Sequence, residues 1–390
     1  MLQTVRYLFS MMLIVFAVNF NTNAGSYFTG ELDFYGHEVQ LGYDLRISSL
    51  ELNELDQSSL EYKASVLRNN NLKRTAFELK QLKKAFGLDD IGLTLLVNQF
   101  IENTFGEKKD NESVFVKYLI LKQLGYDVIL TRTGKKLNCM ANLSFNPGRY
   151  LYIQYNRKTY KDLDFTKRSS GGKHFIFMDD SRSYRTFSQN PMVLPRINAI
   201  TSARDIEFRH GGVNYEIETV SNKSLIDYLK DLPMHGLGNM YTKQSMSNEM
   251  KGSLIKYLKR MTQHMTKAEK AHFLLAFVQQ VVPYGSDYSK YGEERYYYPE
   301  QTVMAKTADC EDKTFLLSYL AKEVAGVSSV ALYFEHDEHL SIGLQIPNYE
   351  DSYSFKYAGK SYVACEPTAQ LPRLGYSGIS LKRVTKVTPL

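Results

Sequence analysis

The sequence has 390 residues, of which 43% are hydrophobic and 23% are charged, and these values argue against a disordered chain and allow two ordinary domains. The formal net charge of +6 is too small to indicate a nucleic-acid partner. Three cysteines, Cys139, Cys310 and Cys365, are too few for a disulfide scaffold. Because their number is odd, at least one is free or pairs between chains.

The first 24 residues have the pattern of a secretory signal peptide. Arg6 gives the positive flank, residues 8–20 form an apolar run of about 13, and Thr22-Asn23-Ala24 offers small residues before a cleavage site. A membrane anchor is the alternative, but a span needs ~20 apolar residues. We therefore expect a mature chain that begins at Gly25, has no membrane span, and is exported to the periplasm or secreted.

The densest basic cluster lies within residues 73–84. Phe77, Leu79 and Leu82 recur among its lysines and Arg74 at near-helical spacing. This pattern predicts an amphipathic helix with a solvated basic face rather than a nucleic-acid patch, so we expect no nucleic-acid partner.

Two stretches of the chain resemble each other, which indicates a duplication. A strand pattern, a helix pattern, a second helix pattern that ends at a glycine, and a strand with an acid at its exit occur in the same order in both. The matched segments are 41–45 with 213–217, 93–101 with 273–281, 115–125 with 315–326, and 158–164 with 360–366. We predict a first copy over 25–170, a linker and β region over 171–211, and a second copy over 212–390, with the turn or linker Ser169–Gly172 at the first boundary.

The segment around Cys310 carries the strongest chemical signal. Asp309 is a good N-cap, with Asp312 three positions on, and an apolar stripe follows, so a helix should begin with Cys310 in its first turn. The free N–H groups of a helix start favour a thiolate, whereas the flanking acids Asp309, Glu311 and Asp312 oppose it. A reactive Cys310 therefore needs a cationic partner.

His339 is the preferred partner. It opens an alternating strand pattern over 339–346, on a face where Ser341 and Gly343 would leave room for a substrate or a helix end. His336 stands among acids, as a solvated turn residue would. Glu366 lies where the strand pattern of 361–366 ends before Pro367. A carboxylate there could orient the imidazole, as the third member of a nucleophile-base-acid set does.

In this order and spacing, the residues resemble the transglutaminase-like superfamily, and the resemblance covers about residues 265–375. Asp309-Cys310-Glu311-Asp312 is similar to the signature of exported bacterial members, His339 matches their strand-initiating His, and Glu366-Pro367-Thr368 matches the usual Asp-Pro-Thr with Glu for Asp. The resemblance implies an α+β fold of two tandem papain-like units, each with helices packed on an antiparallel sheet. An enzyme of this type requires no cofactor.

In some relatives the acids that flank the Cys bind calcium. The resemblance therefore makes Asp309 and Asp312 possible calcium ligands, with helix capping and solvation as the alternative interpretation.

The resemblance implies a thiol enzyme that acts on amide bonds of a protein or peptide substrate. Cys310 would form a thioester that water or an amine resolves, as in a cysteine protease, an amidase or an acyltransferase, with His339 as general base. The first copy has Asp110 or Asn111 near the Cys position, Cys139 near the His position, and no His between His37 and His174. It therefore cannot run this chemistry, and a non-catalytic binding or scaffold protein of the cell envelope is the alternative function.

Overall fold

The computed structural model describes residues 27–106, 110–145, 151–164, 173–179, 185–190, 193–233, 239–288, 292, 294–349, 353–370 and 373–390. The predicted signal peptide and the predicted turn Ser169–Gly172 lie outside these residues. Within them, none of the helices combines the length and the apolar character that crossing a membrane requires.

The described residues form two compact units, one up to Gln189 and the other from Asn190. Each unit contains a β-hairpin, a set of helices and a five-stranded antiparallel sheet, so the predicted α+β class is confirmed. The segment 171–211, predicted as a linker and β region, is divided between the two units.

The first unit begins with a hairpin, continues through five helices and ends in its sheet. Its elements are β1 Tyr27–Phe34, β2 His37–Asp44, α1 Leu45–Ser48, α2 Gln57–Leu67, α3 Asn70–Phe86, α4 Asp90–Phe105, α5 Asp110–Gln123, β3 Val128–Thr133, β4 Lys136–Asn142, β5 Tyr152–Tyr155, β6 Lys158–Asp162 and β7 His174–Ile176. Helix α3 is the predicted amphipathic helix: Asn69 caps its start, Gly87 ends it at φ 64°, and Leu72, Leu79 and Leu82 are buried.

The second unit repeats this order. Its elements are β8 Thr201–His210, β9 Val213–Asn222, α6 Lys223–Lys230, α7 Asn239–Lys243, α8 Asn248–Met250, a π-helical turn Lys251–Ile255, α9 Lys256–Met261, α10 Lys267–Val281, α11 Pro299–Met304, α12 Cys310–Leu320, a π-helical turn Ala321–Ala325, β10 Ser329–Phe334, β11 His339–Leu344, β12 Ser354–Tyr357, β13 Lys360–Cys365 and β14 Lys386–Pro389. Single 3-10 turns span Glu335–Asp337 and Leu381–Arg383.

The two sheets have the same strand order. The first runs β5-β6-β4-β3-β7 and the second β12-β13-β11-β10-β14, so each strand of one sheet has a counterpart in the other. In both units a helix that ends at a positive-φ glycine, Gly125 or Gly326, leads into the sheet. This shared topology supports the duplication inferred from the sequence.

Helix α12 packs on one face of the second sheet, and helix α10 packs against α12 and against strand β8. Thr266 and Glu269 form a reciprocal capping box that starts α10, and Phe273 and Phe277 of that helix are fully buried. They share one apolar core with Leu316 of α12 and with Ile342 of β11. This core fixes the first turn of α12 beside the start of β11.

Candidate functional site

Cys310 is the first residue of helix α12, as predicted. The carboxylate of Asp309 caps the helix by accepting a hydrogen bond from the Asp312 N–H at 3.2 Å. Only 5% of the Cys310 surface is exposed, and the backbone N–H of Leu340 donates to its sulfur. The helix start and the start of β11 therefore meet at the thiol.

His339 and Glu366 form a hydrogen-bonded pair. The distance between Nε2 of His339 and Oε2 of Glu366 is 2.8 Å. The other oxygen of Glu366 accepts from the backbone N–H of Thr368 at 3.0 Å and from its hydroxyl, and Gln279 Nε2 donates to the Glu366 carbonyl at 2.8 Å. Glu366 therefore reaches the imidazole although its side chain is one methylene longer than that of Asp. Hydrogen bonds with His339, Thr368 and Gln279 hold it in place.

The sheet register explains why these two side chains meet. Strands β11 and β13 are antiparallel, with Gly343 opposite Ala364, so His339 and Glu366 lie on the same face of the sheet near one end. His336, the alternative base, is exposed in the turn that precedes β11.

The expectation that this face of β11 stays open is wrong over most of the strand. Ser341 is fully buried, and its hydroxyl donates to the Cys365 carbonyl. A Cβ on Gly343 would lie 2.6 Å from Cζ of Phe355, so that ring fills the space beside the glycine. Access is confined to the His339 end, where 18% of the imidazole side chain is exposed.

The electrostatics of the thiol differ from the sequence-based expectation. Burial raises the pKa of Cys310 well above its usual range, and the negative charge of Glu311 and a hydrogen bond to it raise the pKa further. Sγ of Cys310 donates to Oε2 of Glu311 at 2.8 Å. In this arrangement Cys310 is a protonated thiol, and the helix start does not outweigh Glu311.

For the His339 imidazole, burial and the neighbouring carboxylates shift the pKa in opposite directions. Burial alone would lower the pKa of His339, but the hydrogen bond and charge of Glu366, together with the charge of Glu311, raise it overall. The protonated form of His339 is therefore stabilised, and the charge of Glu311, the hydrogen-bond partner of Cys310, contributes to this.

An acidic cluster lies next to Cys310. Carboxylate oxygens of Asp287, Glu294 and Asp309 all lie within 4.8 Å of one another. Burial, followed by the charge of Glu311, raises the pKa of Asp309 to about 8 and that of Glu294 to about 7. Three carboxylates this close repel one another unless protons or a cation neutralise them.

The donor set suits a hard cation such as Ca²⁺, which prefers carboxylate oxygens. Of the predicted pair, Asp309 belongs to the cluster, whereas Asp312 accepts from the Tyr297 N–H at 2.7 Å. The second oxygen of Asp312 is buried and has no hydrogen-bond partner within the described residues, which further indicates that this region requires a cation or a proton. Asp287 and Glu294 were not predicted, since they lie in the segment between α10 and α11, which carries no motif.

Aromatic residues close one side of the site. Tyr296 and Tyr298 contact Tyr241, and Tyr296 also contacts Phe315 of α12, so the tyrosine stretch 296–298 serves mainly as packing. By contrast, Tyr284 is 58% exposed, and partial burial, followed by the charge of Cys310, raises its pKa. The sequence did not indicate this exposed ring near the thiol.

The first unit carries different residues at the corresponding positions. Lys136 opens β4 as His339 opens β11, and Asp164 follows the strand pair as Glu366 does. Cys139, predicted near the histidine position, instead lies inside β4 opposite Leu130 and is 1% exposed. No histidine stands at these positions.

No protein-family model and no curated protein sequence matches this chain.

Proposed function

We propose that this protein is an exported thiol enzyme of the transglutaminase-like type, with a papain-like catalytic unit, that acts on amide bonds of polypeptides. The observation that carries the proposal is the 2.8 Å hydrogen bond between His339 Nε2 and Glu366 Oε2, with Cys310 at the adjacent helix start. A buried carboxylate that orients an imidazole beside a thiol is the arrangement that nucleophilic catalysis requires.

The hydrogen bond to Glu366 determines which nitrogen of His339 can exchange a proton with the thiol. The step requires the neutral imidazole: its remaining proton then lies on Nε2 and is donated to Glu366, so Nδ1 of His339 is the atom that accepts the thiol proton. The thiolate then attacks the amide carbonyl carbon, and the oxyanion forms near the Cys310 N–H. The C–N bond breaks, the amine takes the proton from His339, and water or a second amine resolves the thioester.

The thiol must change its hydrogen-bond partner before this step. In the structure it donates to Glu311, so a reactive state requires that it turn to His339. Asp287, Glu294 and Asp309 are the residues that would hold a calcium ion, whose charge would keep these carboxylates ionised and offset their repulsion.

A second candidate function is binding without turnover. The raised pKa of Cys310 and its hydrogen bond to Glu311 favour it, because a protonated, buried thiol is a poor nucleophile. The degenerate first unit is also compatible with a binding role.

Site-resolved alkylation by iodoacetamide across a pH series distinguishes these functions. For the enzyme we expect Cys310 to react faster than a free cysteine near neutral pH with calcium present, and His339→Ala to slow it by about 10-fold or more. His336→Ala is the matched control, and buried Cys139 and Cys365 should stay unlabelled. If wild-type Cys310 reacts no faster than free cysteine and His339→Ala changes nothing, the protein is not a thiol enzyme.

A further inference from the structure

The hydroxyl of Tyr333 is a buried polar group that the reaction described above does not use. Tyr333 lies in β10, only 8% of its surface is exposed, and its Oη has no hydrogen-bond partner within the described residues. A buried hydroxyl without a partner costs free energy that a phenylalanine at the same position would not cost. Packing of the strand therefore does not account for the hydroxyl.

The sheet register places Tyr333 on the face that the helix with Cys310 covers. Tyr333 pairs directly with Leu340 of β11, so the two side chains lie on the same face of the sheet. Ile342 also lies on this face, two residues beyond Leu340, and it shares the core with Leu316 of α12. The start of α12 meets the start of β11 at the thiol, since the backbone N–H of Leu340 donates to the Cys310 sulfur.

Glu311, the neighbour of Cys310, is a charged group that acts on the Tyr333 hydroxyl. Burial, followed by the negative charge of Glu311, raises the pKa of Tyr333 to about 12. The hydroxyl therefore keeps its proton at neutral pH, and it can donate a hydrogen bond to a carboxylate. Because Oη is buried, the acceptor must be a group of the protein itself.

The thiol and the hydroxyl are alternative donors to one carboxylate. In the structure Oε2 of Glu311 accepts from Sγ of Cys310 at 2.8 Å, although a thiol is a weaker donor than a hydroxyl. When the thiol turns to His339, Glu311 loses this donor, and a carboxylate that is largely buried needs another. A hydrogen bond from Tyr333 to Glu311 would satisfy the hydroxyl and the carboxylate together.

We propose that Tyr333 is a positioning residue of the thiol site: its hydroxyl donates to Glu311 in the reactive state and so frees the Cys310 thiol to turn to His339. This inference rests on the proposed function, because only a reaction at Cys310 requires the thiol to leave Glu311. The step exchanges one hydrogen bond for another and transfers no proton. Tyr333 acts through Glu311 and not on the substrate.

Tyr333→Phe tests the proposal because it removes the hydroxyl and keeps the ring. At neutral pH with calcium present, we expect iodoacetamide to alkylate Cys310 about 10-fold more slowly in this variant, since the thiol then stays with Glu311. The free energy of unfolding should not fall, because the hydroxyl has no partner in the structure to lose. Tyr357→Phe, in the edge strand β12 of the same sheet, is the matched control and should leave the rate unchanged.

A second background separates this role from packing. In Glu311→Gln the thiol has no charged acceptor to leave, so the addition of Tyr333→Phe should not slow alkylation further. Infrared spectroscopy gives a readout that does not depend on reactivity, since subtraction of the Cys310→Ala spectrum isolates the S–H band of Cys310. In Tyr333→Phe this band should move to lower frequency, because a larger share of the thiols donates to the carboxylate.

The outcomes distinguish this inference from the proposed function. If His339→Ala slows alkylation but Tyr333→Phe does not, the thiol enzyme stands and the role of Tyr333 is overturned. Equal slowing by Tyr333→Phe with Glu311 and with Gln at position 311 would assign the effect to packing and overturn the role as well. If His339→Ala changes nothing, the proposed function fails, and an S–H band that does not move in Tyr333→Phe then also excludes the exchange at Glu311.

Discussion

Glu311 controls the state of the thiol at the scale of single residues. Its carboxylate accepts a hydrogen bond from the Cys310 thiol at 2.8 Å. Burial of Cys310, together with the negative charge of Glu311, raises the pKa of the thiol. The same carboxylate helps to raise the pKa of His339. One side chain therefore favours both the neutral thiol and the protonated imidazole.

Glu311→Gln should make Cys310 more reactive. The substitution removes a negative charge beside the sulfur, so the thiol pKa falls and the thiolate fraction at a given pH rises. We expect alkylation to be about 10-fold faster at about pH 8. Glu335→Gln, an exposed acid in the turn before His339, is the control. An unchanged rate would mean that burial alone sets the thiol pKa.

Glu366→Gln should lower the pKa of His339. The amide keeps the shape of the side chain but removes the charge that raises the imidazole pKa, so we expect this pKa to fall. Histidine NMR titration measures it, with His339→Gln to assign the signal. Turnover should fall by about 10² to 10⁴, because an uncharged partner no longer stabilises the imidazolium. A titration curve identical to that of the wild type would refute the role given to Glu366.

The pairing of β11 with β13 is the element that builds the site, and Gly343 is its tightest point. A Cβ there would lie 2.6 Å from Phe355 and 3.0 Å from Val330. A larger residue at position 343 would therefore have to displace the Phe355 ring or push β11 and β13 apart.

Gly343→Ala should therefore destabilise the protein by about 1–3 kcal/mol, the usual cost of overpacking. Chemical denaturation measures the free energy of unfolding. Gly252→Ala, in the π-helical turn Lys251–Ile255, meets no atom within 4 Å and should be neutral or slightly stabilising. Equal effects of the two substitutions would contradict the packing described for β11.

The sequence predicted those elements whose signals are local. The Asp309 cap placed the start of α12, alternation placed β11, and the glycine at 326 placed the end of the helix. It could not predict the π-helical turn Ala321–Ala325. The second unit has one more residue between Lys322 and Gly326 than the first unit has between Lys122 and Gly125, and this turn accommodates it. Nor could the sequence predict the Glu311 contact or the positions of Asp287 and Glu294, which depend on the tertiary packing of the segment between α10 and α11.

At the scale of the whole molecule, the acidic cluster links stability to pH. The pKa values of Asp309 and Glu294 are raised in the folded state, to about 8 and about 7. Between the usual carboxyl range and these values, the folded chain binds protons that the unfolded chain has released. Stability from these groups is therefore present at low pH and is lost as the pH rises through this window.

In a chelator, the melting temperature should fall between about pH 5 and about pH 8, and calcium should restore it at the higher pH. Differential scanning calorimetry measures both effects. Asp309→Asn is the matched variant, since asparagine caps a helix equally well but carries no charge. It should show a smaller pH dependence and a smaller response to calcium. A wild-type melting temperature that is flat over this range, with no effect of calcium, would exclude the cation site.

The equal strand order of the two sheets also shows what a duplicated sequence can hide. Matched strands, helices and glycines made the repeat visible in the sequence. They did not show which residue of the first unit corresponds to His339. Lys136 shares no chemistry with His339, and only the pairing of β4 with β3 and β6 reveals that it stands there.

Strand β14 has a protective role that follows from its place in the sheet. It covers the outer side of β10, whose six residues are all buried and mostly apolar. Proteolytic trimming of Lys386–Pro389 would leave the backbone N–H and C=O groups of β10 unpaired along a hydrophobic border. Such a border recruits further strands, so trimmed molecules should self-associate into β-rich aggregates while the triad residues remain in place.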